Sequence, residues 1–230
     1  MTLKKRFLAT LRRVEEAADR ADRDPSSVQL IAVGKTFPIE MIRQAIAAGA
    51  DVFGENRVQE GVEKAKVFPD AEWHLIGPLQ SNKARKALEH FSVIHTLDRE
   101  DLALRLERLM QEHWPGQKQR VLVEVNIGEE SQKAGVAPGD ASELVARVSE
   151  CSNLIVDGLM AIPPISPDPE ATRDYFRRLR VLRDRIEDNL GAPFPHLSMG
   201  MSHDFEVAIA EGATMVRVGT AIFGSRASRV

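Results

Sequence analysis

The stretch LIAVGKTFP, residues 30–38, places a charged side chain directly behind an apolar, β-branched run. Such a run is typical of a strand buried on both faces, and Pro38 limits how far it extends before a helix begins. Lys35 therefore lies at the exit of a buried strand, where a low dielectric favours the neutral amine that attacks carbonyl groups and forms Schiff bases. An ordinary lysine extending its ammonium to solvent remains the alternative on this stretch alone.

Short apolar runs alternate with helical segments along the rest of the chain. An amphipathic helix comes first, with an apolar face formed by Leu3, Phe7, Leu8, Leu11 and Val14. We predict strands near residues 28–33, 51–54, 73–77, 92–96, 121–126, 155–160, 196–199 and 215–218. We predict helices near residues 39–48, 57–67, 83–90, 100–113, 140–151, 169–189 and 204–211. Eight strands that each feed a helix predict an α/β fold, a (β/α)8 TIM-type barrel with an extra N-terminal helix.

An open doubly wound sheet is the rival architecture. That fold usually carries a glycine-rich fingerprint after its first strand, and residues 33–36 (VGKT) do not match it. We find no repeat, low-complexity tract or linker, so we expect one domain over residues 1–230, with residues 1–24 forming the helix that packs on the barrel.

Composition excludes several classes of protein. The 230 residues are 43% hydrophobic and 28% charged with a net charge of −3, so no overall field attracts nucleic acid. The single cysteine, Cys151, excludes an internal disulfide and a thiolate metal cluster, which fits a reducing, cytoplasmic location. No run reaches the roughly 18 apolar residues of a membrane span, and the N-terminus lacks the apolar core of a secretory signal.

The functional residues of such a barrel lie at the C-terminal ends of its strands. The loops after the last two strands carry glycines and hydroxyls, which can form a phosphate site from backbone N–H groups and side-chain donors. An amine after the first strand and a phosphate site after the last two would hold a phosphorylated aldehyde, of which pyridoxal 5′-phosphate is the common example. The candidate cofactor-binding residues at these strand ends are Lys35, Asn56, Ser198, Gly200, Ser202, Gly219 and Thr220, and the family resemblance given below adds Arg217.

Five segments resemble one known family, the pyridoxal-phosphate homeostasis proteins. They are residues 32–36 (AVGKT), 53–60 (FGENRVQE), 73–83 (WHLIGPLQSNK), 197–202 (LSMGMS) and 216–224 (VRVGTAIFG). The resemblance extends over residues 28–224, and the third and fourth segments are specific. Two positions depart from the family pattern: Gly34 stands where serine is frequent, and His203 where an acid is common.

The resemblance implies a fold-type III barrel like the N-terminal domain of alanine racemase, with pyridoxal phosphate held as a Schiff base on Lys35. It implies a protein without evident turnover that keeps vitamin B6 and amino-acid pools in balance, with apo pyridoxal-phosphate enzymes as partners, and we expect a monomer. Arg217 would face the pyridine nitrogen and weaken the cofactor as an electron sink. A salt bridge between Arg217 and Glu55 is the structural alternative, since a buried guanidinium needs a partner.

Two enzyme functions remain as alternatives to a homeostasis protein. One is a racemase or lyase of low activity that uses pyridoxal phosphate, and the other is an aldolase-like barrel that forms a Schiff base without a cofactor. A racemase mechanism needs a second base, which in alanine racemase is a tyrosine from a further β domain. This chain ends at Val230 and its single tyrosine, Tyr175, lies in a charged segment that we expect outside the barrel.

Four residues outside the candidate set remain to be placed. Residues 126–138 form a long loop that we interpret as a lid, in which Lys133 either receives the cofactor aldehyde or is simply exposed. His203 lies beside the phosphate loop. We interpret His74 as a hydrogen-bonded structural histidine and Cys151 as buried and inert.

Overall fold

A computed structural model describes residues 1–224, and the last six residues of the predicted domain lie outside the described part. Its strands are β1 (Gln29–Val33), β2 (Val52–Glu55), β3 (Glu72–Leu75), β4 (Val93–Leu97), β5 (Gln119–Glu124), β6 (Leu154–Met160), β7 (His196–Met201) and β8 (Met215–Val218). Each strand pairs in parallel with the next, and β8 pairs with β1 to close the barrel. The predicted (β/α)8 barrel is confirmed, and the open doubly wound sheet is excluded.

Helices connect the strands on the outside of the barrel. Over residues 1–224 they are α1 (Leu3–Arg20), α2 (Ile39–Ala47), α3 (Val58–Val67), α4 (Ala84–His90), α5 (Glu100–His113), α6 (Ala141–Ser149), α7 (Arg173–Leu190), α8 (Phe205–Ala210) and α9 (Thr220–Phe223). The helix predicted over residues 169–189 divides into a 3-10 turn, Pro169–Thr172, and α7. Asp168 caps this turn by accepting a hydrogen bond from the Glu170 N–H at 3.0 Å, which suits a proline-initiated start.

The N-terminal helix α1 packs on the barrel against α2, α8 and α9. Its buried face is formed by Leu3, Phe7, Thr10, Val14, Ala17 and Ala18, at helical spacing. The prediction was wrong for Leu8, which is exposed because it lies on the flank of this face. Arg6 anchors the helix to the end of α9, donating to the carbonyl oxygens of Ile222 at 2.7 Å and Phe223 at 3.2 Å.

The inside of the barrel is only partly apolar. An apolar layer fills part of the interior, as is usual in barrels of this class. It consists of Ile31, Val52, Val93, Leu122, Met160 and Met215. Nearer the C-terminal ends of the strands, polar side chains are buried instead of apolar ones: His74, His95, Ser198 and Arg217. Buried polar groups of this kind are stable only when they are hydrogen bonded, so their partners matter for the site above them.

Candidate functional site

A cavity of about 280 Å³ opens at the C-terminal ends of the strands. This is the end of the barrel where (β/α)8 proteins place their ligands. Six of the eight candidate residues line it: Lys35, Asn56, Ser202, Arg217, Gly219 and Thr220. Ser198 and Gly200 are not among its lining residues. The two predicted halves, an amine after β1 and a hydroxyl-rich segment after β7 and β8, therefore meet in one cavity.

Lys35 is half-buried in a tight turn that directly follows β1. The Phe37 N–H donates to the Gly34 carbonyl at 3.1 Å and closes the turn. Thr36 adopts a left-handed conformation with φ of 68°, which is unfavourable for a β-branched residue. Its N–H donates to Glu60 Oε1 at 2.5 Å, and this contact helps to hold the strained turn in place. The turn thus fixes the backbone from which the Lys35 amine reaches the cavity.

A buried lysine lies beneath that turn. Lys64 Nζ, on α3, donates to Glu55 Oε1 at 2.7 Å, Glu60 Oε1 at 2.8 Å and the Gly34 carbonyl at 2.8 Å. Lys64 is 5% exposed and Glu55 is fully buried. Burial raises the pKa of Glu55 to about 7, although the Lys64 ammonium acts in the opposite direction. This ionic cluster ties the Lys35 turn to β2 and α3.

Gly34 has a packing reason to depart from the family pattern. A Cβ atom at this position would lie 2.7 Å from Ile42 Cδ1 and 3.1 Å from Glu55 Oε1. A serine here would require Ile42 to move, so the glycine and the Ile42 side chain fit each other.

Arg217 projects from β8 into the barrel and is almost fully buried. Its guanidinium donates to the Ser198 hydroxyl and to the Ala161 carbonyl, the latter at 2.9 Å. The alternative salt bridge to Glu55 is wrong, because Glu55 pairs with Lys64 instead. Arg217 therefore lines the cavity as a cation held by neutral partners.

Charged groups near Arg217 only partly offset its burial. Desolvation lowers the pKa of Arg217 to about 10, while Glu124 and Asp204 favour the charged form. Burial also raises the pKa of Glu124 to about 7, with Asp98 adding to the effect and Arg217 opposing it. Arg217 thus stays charged at neutral pH and supplies positive potential at the floor of the cavity.

Ser202 joins the loops after β7 and β8. Its hydroxyl oxygen accepts hydrogen bonds from the N–H groups of Gly219 at 3.1 Å and Ala221 at 3.4 Å. The hydroxyl proton stays available to donate to an anion. Gly200 serves packing, since a Cβ there would lie 2.6 Å from the Ala208 Cβ, and its φ of 91° suits glycine.

His203 and Lys133 have partners of their own. His203 is exposed at the cavity rim, and its Nε2 lies 2.9 Å from the Pro167 carbonyl oxygen. Lys133 is half-buried, pairs with Glu130 and donates to the Pro163 carbonyl at 3.2 Å. It does not line the cavity.

The loop of residues 126–138 has internal structure rather than being an open lid. The Asn126 amide nitrogen Nδ2 donates to the Glu130 carbonyl at 2.8 Å, and the Asn126 N–H donates to the Val136 carbonyl at 2.9 Å. The segment also bridges back to the end of β5 through Val125 and Val136. These contacts fold the loop onto itself.

Tyr175 lies outside the barrel as predicted, whereas Cys151, predicted to be buried, is only partly buried. Tyr175 lies on α7, outside the barrel, with the Arg178 guanidinium 5.9 Å from its ring centre. Cys151 is partly buried, and burial raises the pKa of its thiol. Neither residue lines the cavity.

Sequence reasoning missed two sets of residues at this site. The first is the Lys64 cluster, for which the Glu60–Lys64 spacing of four on a helix was the only signal. The second is the pair His74 and His95, whose rings are hydrogen bonded inside the barrel at 2.9 Å. His74 was correctly interpreted as hydrogen bonded, but its partner was not identified.

Two features are absent from residues 1–224. No group of three or more His, Cys, Asp or Glu side chains in this part of the chain is arranged to hold a metal ion. No helix within the same residues combines the length and apolar character needed to cross a membrane.

Comparison with known proteins gives consistent matches. A family model described as the alanine racemase N-terminal domain matches residues 9–227. The pyridoxal phosphate homeostasis protein of Aquifex aeolicus is 45% identical over 223 residues, covering 96% of this chain and 97% of that protein. The protein of the same name from Escherichia coli is 45% identical over 224 residues, covering 93% and 92%.

Solved structures match the same fold. The structure of PipY from Synechococcus elongatus with pyridoxal phosphate bound superposes with a TM-score of 0.83 at 40% identity, covering 97% of this chain and 100% of that one. Alanine racemase of Clostridium difficile superposes with a TM-score of 0.76 at 14% identity, covering 98% of this chain and 58% of that one. The second match shows a shared fold alone.

Proposed function

This chain belongs to the alanine racemase N-terminal domain family and, within it, to the pyridoxal phosphate homeostasis proteins, and we propose that it holds pyridoxal 5′-phosphate reversibly as a Schiff base on Lys35. The observation that carries the proposal is that Lys35, Arg217 and Ser202 line one cavity. The relative PipY, 40% identical, has been solved with pyridoxal phosphate bound.

The residues present fit the chemistry of this cofactor. Lys35 supplies an amine for the aldehyde, and the Ser202 hydroxyl supplies a donor for the phosphate. Arg217 is a buried cation with neutral partners, which suits a hydrogen bond from the guanidinium to an unprotonated ring nitrogen. Bound pyridoxal phosphate would supply an electrophilic aldehyde and an electron-accepting ring.

Formation of the Schiff base requires only the Lys35 amine and the cofactor aldehyde. The neutral amine of Lys35 attacks the aldehyde carbon, a C=N bond forms, and the aldehyde oxygen leaves as water. Addition of water reverses the step and frees both partners. A small amine can also displace Lys35, taking over the C=N bond while the lysine amine is regenerated. The first route consumes only water and the second only the displacing amine, and neither needs an oxidant or a reductant, as a reversible carrier requires.

Storage and transfer suit this site better than catalysis. Relatives at about 45% identity are named homeostasis proteins rather than enzymes. The guanidinium of Arg217 would keep the ring nitrogen unprotonated, which weakens the electron sink that carbanion chemistry needs. We further propose that the protein acts as a cytoplasmic monomer, delivers its cofactor to apo pyridoxal-phosphate enzymes, and so keeps vitamin B6 and amino-acid pools in balance.

A hydrogen-exchange assay separates a carrier from a racemase. The holo protein is incubated with L-alanine in deuterated water, and Cα exchange and racemisation are followed by NMR and chiral chromatography. We expect exchange no faster than with free pyridoxal phosphate, and we expect apo-enzyme added to the same mixture to gain activity. Exchange well above the free-cofactor rate that is lost in Lys35→Ala would instead establish an enzyme.

Removal of one hydroxyl tests the phosphate end of the site. Ser202→Ala should weaken pyridoxal phosphate binding by about 1–3 kcal/mol, the usual loss for a hydrogen bond to a charged group. Affinity is measured by equilibrium titration of the variant and of Ser92→Ala, which removes an exposed serine at the opposite end of the barrel. Pyridoxal without the phosphate should bind Ser202→Ala and the unaltered protein alike. Equal losses for both ligands would place Ser202 away from the phosphate.

A further inference from the structure

A continuous set of hydrogen bonds crosses the inside of the barrel beneath the cavity. Arg217 on β8 donates to the Ser198 hydroxyl on β7, and Ser198 Oγ lies 2.9 Å from His95 Nδ1 on β4. His95 Nε2 lies 2.9 Å from His74 Nδ1 on β3, and His74 Nε2 lies 2.9 Å from Glu72 Oε1 at the start of β3. We call these five residues the interior network. It leads from the cavity to the N-terminal end of the barrel.

The chemistry of Arg217 and Glu72, at the two ends, decides which atom donates in each hydrogen bond of the interior network. Every donor points away from Arg217 and toward Glu72. A guanidinium can only donate, so Ser198 accepts from Arg217, and the Ser198 proton is satisfied when it is donated to His95 Nδ1, the other partner of this hydroxyl. His95 must then be neutral and protonated on Nε2, which donates to His74 Nδ1. His74 in turn is protonated on Nε2 and donates to Glu72. In this arrangement every hydrogen-bonding atom between the two ends has a partner.

The Glu72 end is held in the ionised form that this direction requires. The hydrogen bond from His74 holds the pKa of Glu72 below its usual range, and the cation of Arg120 3.8 Å away acts in the same sense. Arg120 also pairs with Asp157 and contacts His196 Nε2 at 3.3 Å. Glu72 is therefore a carboxylate acceptor fixed by the charged groups around it.

The middle of the interior network disfavours a second proton on His95, which would charge the ring. His95 is completely buried, and burial together with the nearby groups His74, Arg217, Arg120 and His196 holds the pKa of His95 well below its usual range. Reversing the direction would need a doubly protonated His74 and would leave the buried Ser198 proton without an acceptor. An unsatisfied buried donor costs about 1–3 kcal/mol.

We propose that Ser198, His95, His74 and Glu72 are positioning residues that fix the guanidinium of Arg217 and the direction of its hydrogen bonds toward the cofactor. The inference rests on the proposed function, because Arg217 acts on a ligand only if the cavity holds one. Ser198, predicted from the sequence to bind the cofactor, would on this view act one step behind the ligand. The Ala161 carbonyl holds the other side of the guanidinium at 2.9 Å, so loss of the Ser198 contact would leave it tethered at one side only.

The direction of the interior network can be measured without any cofactor. In ¹⁵N-labelled apo protein at neutral pH, long-range ¹H–¹⁵N spectra report which ring nitrogens carry protons. We expect both His74 and His95 to be neutral, with a proton on Nε2 and none on Nδ1. A protonated Nδ1 on either ring would overturn the proposal, whatever the outcome of cofactor binding.

Substitution of His95 tests whether the interior network acts on Arg217. His95→Leu removes both the acceptor for Ser198 and the donor to His74, whereas His95→Gln can supply an oxygen and an N–H group in their place. Thr96→Val is the matched control, since Thr96 is buried on the same strand and its hydroxyl donates to the Gly77 carbonyl at 2.8 Å, outside the interior network. His95→Leu and Thr96→Val each lose a buried polar group, so a purely structural effect would be shared by these two variants.

The readouts are the affinity for pyridoxal phosphate and the visible absorbance of the bound cofactor as a function of pH. We expect His95→Leu to weaken binding about fivefold, as for loss of one neutral hydrogen bond, and to shift the pH midpoint of the absorbance. His95→Gln should keep most of the wild-type affinity and absorbance midpoint, and Thr96→Val should change neither of these two quantities. Equal behaviour of His95→Leu and Thr96→Val would overturn the proposal. If His95→Leu fails to fold, His95→Gln supplies the test. A His95→Gln variant that keeps the wild-type tautomer at His74 but shifts the pH midpoint of the absorbance would overturn the proposal.

Failure of the inference and failure of the proposed function give different results. If the unaltered protein forms no adduct with pyridoxal phosphate, the proposed function is wrong while the apo tautomers still decide the direction of the interior network. If the adduct forms normally and the tautomers are reversed, the proposed function stands and the positioning role of His95 does not.

Discussion

Lys35→Ala is expected to abolish the visible absorbance of the protein–cofactor adduct and its stabilisation by borohydride reduction. The ε-amine of Lys35 is the group that would form the C=N bond, and alanine leaves nothing on the turn after β1 to replace it. The fold should persist, because Lys35 is half-buried at the mouth of the barrel and not within its packed layers. Absorbance, mass mapping of the reduced peptide, and circular dichroism measure the three outcomes.

Lys133→Ala is the matched control for this experiment. Lys133 is also a half-buried lysine of a loop at the C-terminal end of the barrel, but it pairs with Glu130 and does not line the cavity. We expect this variant to keep one adduct per chain. A reducible adduct at full stoichiometry in Lys35→Ala would contradict the assignment, and its mapping to Lys133 would show that the loop lysine receives the aldehyde.

The barrel could be predicted because its strands are mostly continuous apolar runs. Two of the boundary errors fall where a strand begins with polar side chains. β5 begins at Gln119, ahead of the predicted residue 121, because Gln119 and Arg120 precede its apolar run. β3 begins at Glu72 for the same reason. A polar residue at the end of a strand is indistinguishable in sequence from a turn, although here Glu72 and Arg120 are hydrogen bonded inside the protein.

The candidate site was predicted in part, because the loops of a barrel converge whatever their separation in sequence. Lys35 was identified as a strand-end residue and Arg217 through the family resemblance, and both line one cavity. The contacts that support them were not predictable in the same way. His95 and Ser198 are 103 residues apart, and no local sequence pattern predicts a hydrogen bond between them. Sequence reasoning therefore identified groups that line the cavity better than those that hold such groups in place.

Lys64→Met is expected to lower the free energy of unfolding by about 3–5 kcal/mol at pH 8, the cost of leaving a buried carboxylate without its cation. Lys64 Nζ lies 2.7 Å from Glu55 Oε1, and Glu55 is fully buried. The Gly34 carbonyl would lose its hydrogen bond in the same variant, so the Lys35 turn should loosen. Urea unfolding followed by circular dichroism measures the change.

The size of this loss should depend on pH in a defined direction. Burial raises the pKa of Glu55 to about 7 even beside Lys64, so the folded state takes up a proton that the unfolded state releases at lower pH. Stability linked to Glu55 is therefore present below its unfolded pKa and is lost as pH rises through the folded value. Without the ammonium the folded pKa rises further, so the loss in Lys64→Met should be smaller at pH 5.5 than at pH 8.

A matched lysine on the same helix separates this effect from simple removal of charge. Lys66 lies in the last turn of α3, is exposed, and forms no ion pair among the described residues. Lys66→Met should change stability by no more than about 0.5 kcal/mol at either pH, as for other surface substitutions. Equal losses for Lys64→Met at pH 5.5 and pH 8 would contradict the explanation. They would mean that Lys64 stabilises the fold through its packing and its bond to Gly34, and not by compensating the charge of Glu55.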